Sequence, residues 1–97
     1  MCRNITILRG LEPPATSEEI TAAATQFVRK VTGVAKGNET TAAMMRDAEA
    51  EIASVVTRLL AELPPRRSEP TVMPPLRRPQ VRARLGLEPF EAEPLEG

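Results

Sequence analysis

The chain has no histidine, no tryptophan and no tyrosine, one cysteine and two phenylalanines in 97 residues. Without histidine it lacks the commonest general base and the commonest metal ligand near neutral pH. A single cysteine forbids an internal disulfide, and without imidazole it cannot complete a thiolate–imidazole zinc site. No loop carries the Asp-x-Asp-x-Asp-Gly pattern of a carboxylate cation site. The reading is therefore a non-enzymatic chain with no cofactor and no metal. With aromatics limited to Phe27 and Phe90, its core has to be aliphatic and alanine-rich. No run approaches the roughly 18 apolar residues of a membrane span, and no secretory leader is seen. A lone cysteine suits a reducing compartment, so the expected location is cytoplasmic, with no membrane partner.

Charge is present in balance but is unevenly spread. Thirteen basic and thirteen acidic residues cancel overall. Residues 1–63 carry seven basic against eight acidic, residues 64–84 six arginines against Glu69, and residues 85–97 four glutamates alone. Proline is equally uneven, with eight of ten in residues 64–97. The composition divides the chain into a helical-hairpin domain over 1–63 and a Pro/Arg-rich, then acidic, tail over 64–97. The tail is read as largely disordered or extended, with one short helix possible over 80–85, closed by Gly86.

Within 1–63 the periodicity is helical. Thr16-Ser17-Glu18-Glu19 is a capping box followed by Ile20, Ala23, Ala24, Phe27, Val28 and Val31, one apolar stripe down a helix. Arg29 and Lys30 fall in its last turn and Gly33 stops it, giving a helix over about 17–32. A short connection follows, with Asn38 or Thr40 as the next cap. Met45, Ala48, Ile52, Val55, Leu59 and Leu63, widened by Val56 and Leu60, then describe a helix over about 40–62 that Pro64-Pro65 ends. Ile5-Thr6-Ile7-Leu8 is too short for a sheet of its own and is expected to lie extended across the helices. The fold class is all-α, an antiparallel helical hairpin. Its apolar stripes exceed what two helices can bury on each other, so a further cover is expected from residues 4–11, the short third helix or a second copy. A homo-oligomer, a dimer in a four-helix arrangement, is the leading expectation.

Three groups of residues could carry function. Cys2 precedes Arg3, whose charge favours the thiolate, so a redox or nucleophile role is one alternative. The simpler reading is a small packing residue at the chain start. Arg3 and Asn4 could bind a carboxylate or phosphate, although such residues more often bond backbone groups. Arg66, Arg67, Arg77, Arg78, Arg82 and Arg84 could contact nucleic-acid phosphates with a marked salt dependence. No interleaved aromatics offer base stacking, so a solvated arginine linker is favoured over nucleic-acid binding. The leading function is a self-associating interaction module, with a further protein partner possible.

The opening MCRNI, LEPPATSEEI at 11–20, AAATQFVRKVTG at 22–33 and AEAEIASVVTRLL at 48–60 together resemble a small bacterial family known as domain of unknown function 2277. The resemblance implies a bacterial, soluble protein. It implies no activity, because the family has none assigned.

Overall fold

A computed structural model describes residues 4–34, 38–66, 68, 70 and 72–91. Two long helices, α1 (Ser17–Thr32) and α2 (Glu39–Glu62), are followed by a 3₁₀ turn, Pro75–Arg77, and a short helix α3 (Pro79–Arg84). No strand occurs among the described residues. The expected hairpin is present.

The ends of α1 form as the sequence specifies. Glu19 N–H donates to Thr16 Oγ1 at 3.1 Å, and Thr16 N–H donates to Glu19 Oε1 at 2.9 Å, closing the capping box. At the other end Gly33 takes φ 72°, a left-handed conformation that glycine adopts without Cβ strain, and its N–H reaches Arg29 O at 2.9 Å. Asn38 caps α2, accepting Thr41 N–H at 2.9 Å. That cap sets the helix start at Glu39, one residue before the expected position.

The helices run antiparallel. Thr25 Oγ1 donates to Glu49 Oε1 at 2.8 Å, while the core cluster that includes Ile20 packs against Ala53, Val56 and Leu60 further along α2. Ile20, Ala24 and Val28 are buried, as the α1 stripe predicts. Phe27 and Val31, from the same stripe, are exposed. The line of α2 that meets the core is Ala53, Val56 and Leu60 rather than the centre of its predicted stripe.

Residues 4–11 lie across the hairpin without regular structure. Leu8 and Leu11 join Ile20 at the centre of the core, and Met73 of the tail packs on the same cluster. Side chains from both sides of the 63/64 composition boundary thus share one core. Arg9 Nε donates to Pro64 O at 2.8 Å. Gly10, at φ 90°, lies so close to Arg66 that a Cβ there would come within 2.9 Å of that arginine's Cβ.

Outside its two short helical pieces the described part of the tail is irregular, as its prolines dictate. Pro74 is fully buried. Pro79 opens α3 at its first position, where the missing N–H costs no hydrogen bond, and Gly86 follows the helix at φ 74°.

Candidate functional site

Of the nine residues singled out by sequence, the six that are described do not converge. Cys2, Arg3 and Arg67 lie outside the described residues. Asn4 is half-buried and its backbone N–H donates to Gln26 Oε1 at 2.6 Å. Arg78 Nε donates to Met73 O at 2.9 Å. Arg82 donates to Leu76 O through Nη1 at 2.9 Å, and to Glu88 O through Nε. These two guanidiniums tie down the backbone of the tail. Neither Arg66 nor Arg84 has a hydrogen bond or ion pair to a described residue.

Arg77 departs most from the sequence reading. A solvated arginine segment would place its charge in water. Its side chain is instead 5% exposed and forms a two-pronged pair with Glu19, Nε to Oε2 at 2.9 Å and Nη2 to Oε1 at 3.1 Å. Nη2 also donates to Pro14 O at 2.9 Å, and the guanidinium lies 4.5 Å from the centroid of the Phe90 ring. Nη1 is buried without a hydrogen-bond partner among the described residues. A phosphate could reach this guanidinium only by displacing Glu19. Glu19 itself is 2% exposed. Its carboxylate serves two elements at once, the cap of α1 and the anchor of the tail.

An open cleft of about 590 Å³ lies between residues 8–15 and the end of α2. Its walls include Leu11, Leu60 and Pro64, and its charged lining residues are Arg9, Glu12 and Arg66. No nucleophile–base pair is assembled there among the described residues. Among the described residues no three Asp, Glu, Cys or His side chains are grouped to hold a metal ion. None of the described helices is long and apolar enough to cross a membrane.

The extended apolar surface is on α2. This 24-residue helix buries no residue. Met44 is 65% exposed, Val55 50% and Leu59 49%, with Ala48 also exposed and Leu63 just beyond the last turn. At ~100° per residue these positions, together with half-buried Ile52, fall within one arc beside the line that meets α1. The Thr25–Glu49 contact sets the antiparallel register, so exposed Phe27 and Val31 of α1 fall within one residue of the levels of Ala48 and Met44. The apolar arc of α2 is therefore about twice as wide as the part the hairpin covers.

Sequence reasoning found both apolar stripes and predicted the excess. It missed the Glu19–Arg77 pair, whose partners stand 58 positions apart. Each already had a complete local explanation, the cap for Glu19 and the arginine segment for Arg77.

No curated protein and no solved structure matches the chain. The model of an uncharacterized conserved protein family, domain of unknown function 2277, matches residues 1–84. The chain belongs to that family.

Proposed function

We propose that this protein is a non-enzymatic, self-associating module of the bacterial cytosol, and that it associates through the uncovered face of α2. The observation that carries the reading is a 24-residue helix with no buried residue and an apolar stripe left in water. Helices in water gain most of their stability from tertiary burial of an apolar face, and α2 finds only part of that burial within its own chain. Single exposed apolar side chains are ordinary, whereas a contiguous row of them marks an interaction surface. The cytosolic placement rests on the single cysteine, which suits a reducing compartment.

The row from Met44 to Leu63 is about 28 Å long at ~1.5 Å per residue. One helix pair of that length, with Phe27 and Val31 at its edge, is at the small end of specific interfaces. Its expected affinity is in the micromolar range rather than nanomolar.

Sedimentation equilibrium from about 5 to 500 μM tests the proposal. The expected result is a monomer–dimer equilibrium that Val55→Asp shifts to monomer without changing the helical circular dichroism. A parent chain that stays monomeric throughout this range overturns it.

A further inference from the structure

The surviving question is how two copies would meet on this face, and the spacing of the apolar residues supplies an answer that rests on the self-association just proposed. Begun at exposed Met44 rather than at its half-buried neighbour Met45, the row is Met44, Ala48, Ile52, Val55, Leu59 and Leu63, with steps of 4, 4, 3, 4 and 4. That series reads the same in both directions. A two-fold interface requires a patch that maps onto itself, each residue i meeting j while j meets i. We infer that two α2 helices pair antiparallel, with the two-fold axis between Ile52 and Val55, so that Met44 meets Leu63, Ala48 meets Leu59 and Ile52 meets Val55 across the copies.

The charges beside the row support the same register independently. Asp47, Glu51, Arg58 and Glu62 are all exposed on one edge of the row, the first three on the side away from α1. None of them has a hydrogen bond or ion pair to a described residue. Asp47 and Glu51 stand four apart on the helix, a like-charge spacing that is unfavourable within a single chain. In the antiparallel register Arg58 of one copy falls at the level of residue 49 of the other. It then stands midway between that copy's Asp47 and Glu51, about 3 Å along the axis from each. The two-fold axis keeps corresponding flanks on the same side, so the pairing occurs twice. A parallel pairing, whose two-fold axis runs along the helices, would put the two copies' charged flanks on opposite sides of the seam, so Arg58 of one copy would face neither Asp47 nor Glu51 of the other.

Charge reversal and spin-label distances test this register separately from self-association. Arg58→Glu should weaken the dimer about tenfold or more, as should Asp47→Arg with Glu51→Arg. All three changes together should restore the parental dissociation constant to within a few-fold. All three positions are exposed, so the hairpin stays folded, which circular dichroism verifies. On a Cys2→Ser background, nitroxides at Ala43→Cys should lie about 30 Å apart across the dimer, and at Ser54→Cys under about 20 Å. Short distances at both sites, or a dimer indifferent to Arg58→Glu, overturn the antiparallel register while leaving self-association intact. A monomeric parent chain with no intermolecular dipolar signal overturns both.

Discussion

The two long helices of one hairpin use their apolar residues differently. α1 has 16 residues and buries Ile20, Ala24 and Val28 in successive turns, with Glu19 sealed beneath the tail. α2 is half as long again and buries none. Burial in α1 comes from three directions, α2, residues 4–11 and the tail, whereas α2 is covered along one line only. The comparison teaches that helix length and apolar count do not measure how much a helix contributes to its own fold. α1 is the element around which the chain folds, and α2 offers much of its apolar surface outward.

The strongest way to break this asymmetry is at Glu19. Replacing it with alanine removes half of the capping box and leaves the Arg77 guanidinium buried without its counter-charge. Breaking a buried pair on one side costs about 3–5 kcal/mol. A domain of this size has on the order of 5–15 kcal/mol in total, so Glu19→Ala should remove about a fifth or more of the stability. Urea unfolding followed by circular dichroism reads the loss. The double change Glu19→Leu with Arg77→Met should recover most of it, because two apolar side chains leave no stranded charge. A Glu19→Ala midpoint within error of the parent would show that the pair does not hold the tail in solution.

Ile20→Ala comes next. Ile20 is 5% exposed and touches Leu8 and Leu11 as well as α2. Truncation of a side chain so enclosed costs about 2–4 kcal/mol through lost transfer energy and the cavity left behind. The same urea titration measures it. A cost under about 1 kcal/mol would mean that residues 4–11 close over the gap, and that the core is less tightly determined than the packing around Leu11 indicates.

The parts of this arrangement that were legible in sequence are those with short-range causes. Thr16 and Glu19 are three residues apart, and their reciprocal bonds need no tertiary information. Gly33 and Asn38 likewise act within one turn of where they stand. The stripe of α1 indicates its inward side only in part, since Ile20, Ala24 and Val28 are buried while Phe27 and Val31 of the same stripe are exposed. The stripe of α2 spans about half the helix circumference, and periodicity alone cannot say which half meets α1. The answer depends on residues 4–11 and Met73, which arrive from far along the chain. Arg77 was illegible for a related reason. In a Pro/Arg-rich stretch six guanidiniums look alike, and only the fold reveals that one of them reaches back 58 positions to a carboxylate already engaged in a cap.

Leu59→Ala sharpens the comparison with the smallest expected effect. Leu59 is as long a side chain as Leu11, yet it is about half exposed where Leu11 is 2% exposed. In dilute protein, well below the micromolar range, truncating it should cost no more than about 1 kcal/mol, since exposed apolar atoms lose little on removal and alanine favours the helix. At hundreds of micromolar the same change should cost more, because a dimer that binds the native state raises its apparent stability by mass action and the variant forfeits that increment. The diagnostic quantity is the dependence of the cost on protein concentration. A cost that is small and identical at both concentrations would mean that the α2 face meets nothing in solution. A cost that grows with concentration would separate what Leu59 does for its own chain from what it does for a second copy.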